Sequence, residues 1–169
     1  MTIGHYHRGF HATGTVALFC AVAALAKLHR LSEPEICQAI GLASSLASGV
    51  QSNFGTMTKP LHSGWAARSA VAAVNLVGSG FTAAPNALEA KGGYAQAYGV
   101  ERSDLGRLEA SLGRPWTVLD PGITLKYFPC CYATHRGIDA LLQLKAQLHL
   151  TPANVGSIEC LLPPGGLLP

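Results

Sequence analysis

Gly55-Thr56-Met57-Thr58-Lys59-Pro60-Leu61-His62-Ser63-Gly64-Trp65 is a loop of small residues running into a helix. The residue before a proline favours extended backbone, and proline suits the first helical turn. That places Lys59 at or near the N-cap and Pro60 just inside the helix. The amides of Leu61, His62 and Ser63 are then expected to lack intrahelical partners and to point out of the helix end. Free N–H donors, partial positive charge, an ammonium and an imidazole converge there, which suits a carboxylate or phosphate. The same residues also read as an ordinary helix start with a solvated lysine.

The helix is expected to run from Pro60 to Val77, with Trp65, Ala66, Ser69, Ala70, Ala73 and Leu76 inward, and to end at Gly78-Ser79-Gly80. Upstream, Ser32-Glu33-Pro34-Glu35 is a capping box. Ile36, Ala39, Ile40, Ala43, Leu46, Ala47 and Val50 follow it at helical spacing. An Ala- and Gly-rich helix is read from Thr13, its cap, to about Arg30, with His11 just ahead of it. Downstream, Pro85 to Ala90, Tyr94 to Tyr98 and Asp104 to Leu112 read as short helical pieces.

The character changes at Gly113-Arg114-Pro115. Residues 116–119 and 123–128 carry β-branched and aromatic residues in partial alternation and read as strands. A helix from Thr134 to Leu148 follows, with Ile138, Leu141, Leu142, Leu144 and Leu148 inward. A third strand is expected over 155–162. The expected fold is mainly α: residues 1–115 form part of an all-helical domain, and residues 116–169 begin a smaller α/β (β-α-β) domain.

The 169 residues are 49% hydrophobic but only 12% charged, against roughly 25% in an ordinary soluble domain. So little polar cover points to a layer of a larger molecule or a subunit with a wide apolar interface. The ending Leu161-Leu162-Pro163-Pro164-Gly165-Gly166-Leu167-Leu168-Pro169 agrees, and the chain is expected to be a fragment. A net charge of +3 without a basic stripe excludes nucleic acid as the expected partner. The apolar run Thr13 to Ala26 is shorter than the roughly 20 residues of a membrane span. Arg8 before it and Ala24-Leu25-Ala26 after it resemble a signal peptide, but the helical pattern continues through Leu28 and Leu31. Five cysteines in an unpaired pattern read as reduced and the protein as cytoplasmic.

His5, His7 and His11 have a spacing that zinc accepts, but no carboxylate or cysteine accompanies them, so no metal is expected. They read instead as a polar lead-in or as substrate contacts. Cys130-Cys131 read as packing or pocket lining. No phosphate-binding glycine motif is present. What remains is a set of cationic and imidazole groups at element ends: His11, Lys59, His62, Lys126 and His135. Together they suit a molecule with several carboxylates. A lysine beside a carboxylate, with an imidazole in reach, can move a proton on the adjacent carbon.

Three stretches in order carry a resemblance: Gly9-Phe10-His11-Ala12-Thr13-Gly14-Thr15; then Met57 to Ala67; then Lys126-Tyr127-Phe128-Pro129-Cys130-Cys131 with Thr134-His135. They resemble the MmgE/PrpD family over nearly the whole chain. The resemblance implies a large helical domain and a smaller α/β domain with the active site between them. It also implies a homodimer, or here a complementing chain, and no metal or organic cofactor. Activities in the family include dehydration of 2-methylcitrate, decarboxylation of cis-aconitate and epimerisation of iminodisuccinate. The catalytic positions it carries over are His11, Lys59 and Lys126. Thr58, His62, Cys131 and His135 are the implied substrate-binding positions. Some relatives carry a histidine at the place of Cys131, and a cysteine cannot supply the same cation, which counts against decarboxylation. The expectation is part of a cofactor-independent lyase, 2-methylcitrate dehydratase-like. The alternatives are decarboxylase-like or epimerase-like activity, or a non-catalytic remnant that needs a partner.

Overall fold

A computed structural model describes residues 3–99, 106 and 109–162. The chain forms two compact units, Met1–Leu112 and Gly113–Pro169. Unit 1 contains α1 (Ile3–His7), α2 (Ala12–Thr15), α3 (Ala17–Leu28), α4 (Glu33–Leu46), α5 (Thr58–Gly78) and α6 (Tyr94–Tyr98). A 3-10 turn, Gln51–Asn53, precedes α5. Unit 2 contains α7 (Tyr132–Gln147).

The core of unit 1 lies where α3, α4 and α5 pack together. Its buried residues are mostly small: Ala39, Ala43, Ala66, Ala70 and Ala73, with Leu18 and Val22 as larger plugs. Small side chains let the helix backbones come close. Trp65 and Leu76, expected inward, are 45% and 41% exposed, and Val74 and Val77 are buried in their place. Val74 continues the Ala66–Ala70 row by an i+4 step, and Val77 continues the Ala66–Ala70–Ala73 face by i+3 and i+4 steps.

The capping box of α4 forms as read. Glu35 accepts from the Ser32 backbone N–H at 2.7 Å and from its hydroxyl at 2.6 Å. Both bonds hold the Glu35 carboxyl below its ordinary value, the hydroxyl more than the amide. Three other expectations fail. The helix expected from Thr13 to Arg30 divides at Val16, and His11 rather than Thr13 is the N-cap of α2. Pro85 to Ala90 is a run of turns rather than a helix. Phe10 and Val50 form an antiparallel bridge in a region read as free of strand. Of the expected helix over 104–112, Gly106 and residues 109–111 are helical and the rest lies outside the described residues.

In unit 2 the three expected strands are not seen among the described residues: 117–119 are turns, 123–126 carry no regular structure and 127–128 are bends, and 155–162 carry no regular structure. A strand exists only where a neighbour completes its ladder, and alternation alone does not supply one. The leucines of α7 expected inward are open instead, Leu142 at 48% and Leu144 at 47%, as is Leu148 just past its end. Residues 158–162 run alongside α7, and the two line an open apolar groove of about 580 Å³. The groove's lining includes Ile138, Leu141 and Ile158 but neither Lys126 nor His135.

Candidate functional site

The start of α5 differs from its expected form. The helix begins at Thr58, so Lys59 is its second residue and Pro60 its third. Leu61 N–H donates to Met57 O and opens the helix's own ladder. Thr58 N–H donates to Thr56 Oγ1 at 3.2 Å, and Lys59 N–H to Thr56 O at 3.2 Å. Pro60 carries no N–H. A helix that begins at Thr58 has left its open first turn behind by His62 and Ser63, and Leu61 is bonded to Met57 O, so the expected cradle is not formed and the site rests on side chains.

Those side chains meet against α2. His11 Nδ1 and His62 Nδ1 are 2.8 Å apart, a distance that requires one to carry the hydrogen and the other to accept it. Backbone contacts fix both rings. His11 N–H donates to Gly49 O at 3.0 Å. The buried His62 ring lies against Gly49, where a Cβ would meet His62 Cγ at 3.3 Å. Gly49 has φ +133, a conformation that favours glycine. Gly14 lets α2 lie directly on this loop, since a Cβ there would stand 2.1 Å from Ser48 O.

Phe54 links the third member. The edge of its ring packs on His11, with centroids 4.8 Å apart. Lys59 Nζ stands 4.2 Å from the same ring's centroid. Burial, then the positive charges of His62 and Lys59, hold the His11 imidazole below its ordinary value of 6.5. His11 is thus a neutral imidazole near neutral pH, able to accept a proton beside an ammonium that can hold an anion. Thr58 is half-buried at the helix start.

His5 is not a site residue. It is fully buried, bonded through Nδ1 to Tyr98 O at 2.9 Å and through Nε2 to Thr15 Oγ1 at 2.8 Å. Its ring stacks on Phe10. Tyr94 donates its hydroxyl hydrogen to Thr15 O, and burial pushes its phenol up to about 12. His7 is exposed. No cluster of three metal-ligating side chains occurs among the described residues.

Unit 2 holds its own set. Lys126 is exposed and its Nζ donates to Cys130 O at 2.9 Å. Cys131 is the N-cap of α7, and its carbonyl accepts from Thr134 Oγ1 at 2.7 Å. His135 is buried between Phe128 and Tyr132, and its Nε2 has no hydrogen-bond partner. The five cysteines are free thiols.

Residues 1–103, the stretch that builds the His11–His62–Lys59 arrangement, match the model of the MmgE/PrpD N-terminal domain. The chain belongs to the MmgE/PrpD family. It is similar to the cis-aconitate decarboxylase of Homo sapiens, with 27% identity over 139 residues, 82% of the chain and 28% of the relative. It is also similar to the cis-aconitate decarboxylase of Mus musculus, with 30% identity over 144 residues, 85% of the chain and 29% of the relative. The chain spans less than a third of the length of these curated relatives. No helix among the described residues is long and apolar enough to cross a membrane.

Within this MmgE/PrpD chain, sequence reasoning missed the residues that hold the site rather than those that line it. Phe54, Gly49 and Gly14 are uncharged and carry no motif of their own. The detectable signal was the pair of glycines flanking the chain at the start of one helix and just past the end of another, where backbones approach closely.

Proposed function

We propose that the chain is part of a cofactor-independent lyase acting on a small di- or tricarboxylate, with dehydration of a 2-methylcitrate-type substrate as its reaction. The observation that carries this reading is the His11 imidazole kept neutral by burial while an ammonium and a second imidazole stand beside it. Lys59 holds one carboxylate and stabilises the charge that builds on its oxygens as the adjacent carbon loses its proton. His11 takes that proton. The His11 imidazolium returns that proton to the β-hydroxyl, the carbon–oxygen bond breaks with loss of water, and the electron pair of the former C–H bond becomes the carbon–carbon double bond. By the family resemblance alone, Lys126 is a further catalytic position and Thr58, His62, Cys131 and His135 are substrate-binding positions in the same proposal.

The relatives' names favour a second reading, loss of CO2 from cis-aconitate. The two separate in one experiment. The chain, assembled with its complementing chain, is incubated with citrate, 2-methylcitrate or cis-aconitate, and both unsaturated product and released CO2 are followed. Unsaturated product from the hydroxy acids without CO2 supports dehydration. CO2 from cis-aconitate supports decarboxylation. Turnover of none of the three overturns both. Assembly with a second copy or a complementing chain belongs to the same proposal, supported by the exposed leucines of α7. Sedimentation of the isolated chain as a monomer would contradict it.

A further inference from the structure

The geometry points to His62 as a positioning residue: it accepts the Nδ1 hydrogen of His11 and so leaves His11 Nε2 bare, as a proton acceptor. This rests on the reading of His11 as the group that takes the substrate proton.

Two tautomeric arrangements satisfy a bond between two Nδ1 atoms 2.8 Å apart. If His62 donates, His11 carries its own hydrogen on Nε2 and its Nδ1 is occupied as acceptor. Neither nitrogen can then take a proton without breaking the pair. If His11 donates, its Nε2 is free, and protonation there gives an imidazolium that still donates through Nδ1. Only this second arrangement keeps the contact intact while a proton arrives at and leaves His11; in the first the bare Nε2 belongs to His62, which is buried. It gives His62 the orienting role that a carboxylate plays beside other histidines, with a neutral acceptor in its place.

The surroundings suit the neutral acceptor. His62 is buried against Gly49, and the amide of His11 is fixed to Gly49 O, so ring and backbone are held by one residue. The pair also limits its own charge. Two fully protonated rings would face each other with two Nδ1–H donors, so the contact tolerates one added proton and not two. The titratable groups facing His11 are His62 and Lys59, both on α5. On the α2 side, Thr15 Oγ1 touches the His11 carbonyl and His5 Nε2, so His5 reaches only the backbone of His11.

Nitrogen NMR of the imidazoles of the 169-residue chain tests this without substrate. Above neutral pH, His11 is expected with hydrogen on Nδ1 and Nε2 bare, and His62 with hydrogen on Nε2. Hydrogen on His11 Nε2 overturns the proposal. His62→Asn keeps an acceptor near the Nδ1 position, and His62→Phe keeps bulk without one. His62→Phe is expected to shift His11 toward the Nε2–H form and to lower turnover about tenfold with KM little changed, well below the roughly 10²–10⁴-fold that proton transfer contributes. His62→Asn is expected to restore most of both. Equal loss in the two variants overturns the proposal. If either variant misfolds, the wild-type tautomer decides alone. If the wild-type chain turns over no polycarboxylate, the functional reading fails while the tautomer still decides the pair.

Discussion

The ammonium of Lys59 stands 4.2 Å from the centre of the Phe54 ring, and the edge of that ring carries His11. One phenyl group thus spaces the anion-holding and proton-accepting side chains. A half-exposed cation–π contact contributes about 0.5–1 kcal/mol. Phe54→Leu is expected to reduce stability to urea by about 1 kcal/mol, from lost ring contacts and the lost cation–π contact together. An unchanged midpoint would show that the ring holds neither neighbour.

Gly14 is the point where α2 touches the Ser48–Gly49 backbone. A Cβ 2.1 Å from Ser48 O forces one backbone to move. Gly14→Ala is expected to destabilise by roughly 1–3 kcal/mol. The same shift should part His11 from His62 and lower turnover. Thermal denaturation and His11 NMR on one sample read both effects.

His5 satisfies the Tyr98 carbonyl and the Thr15 hydroxyl from a fully buried position. His5→Leu takes the ring nitrogen from the Tyr98 carbonyl and leaves the Thr15 hydroxyl with the His11 carbonyl alone. The expected cost is about 1–3 kcal/mol, read as a fall in the denaturation midpoint. A variant as stable as wild type would mean that other groups satisfy them.

The His11 pKa is lowered in the folded chain, so the unfolded chain binds more protons between that value and 6.5. The contribution of His11 to stability is then fully present above 6.5 and is lost as pH falls toward the folded value. Denaturation midpoints measured from pH 7.5 downward, with conditions about one unit apart, should fall through this window. Burial is the leading cause, so Lys59→Met should soften the slope only slightly, while His11→Gln should remove its share. A midpoint that rises as the pH drops would contradict the assigned direction.

His135 buries a ring nitrogen that has no hydrogen-bond partner. Phenylalanine has nearly the same shape and no polar atom to desolvate. His135→Phe is expected to raise stability by about 1 kcal/mol and to weaken polycarboxylate binding measured by calorimetry. Such a trade is common where a residue is kept for function. Loss of stability would show that the nitrogen has a structural partner.

Features that depend on neighbours three or four residues apart were readable in the chain itself. The Ser32–Glu35 box closes between groups that a single helical turn brings together. Apolar spacing found Ala39 and Ala43 in α4 and Ala66, Ala70 and Ala73 in α5 but misplaced Val50, Trp65 and Leu76, which are exposed, and the three quoted stretches were enough to place the chain in its family. Other features depended on contacts between residues far apart in the chain. His11 and His62 are separated by 51 positions and meet because Gly14 and Gly49 let two backbones touch. His5 had the same polarity on paper as His11, yet the aromatic packing around Phe10 and Tyr98 removed it from solvent. The anion cradle expected from Leu61, His62 and Ser63 was lost because α5 begins earlier, at Thr58, which draws those amides into the helix, with Leu61 N–H on Met57 O. The strands of unit 2 needed ladder partners that no alternation of residue types can supply.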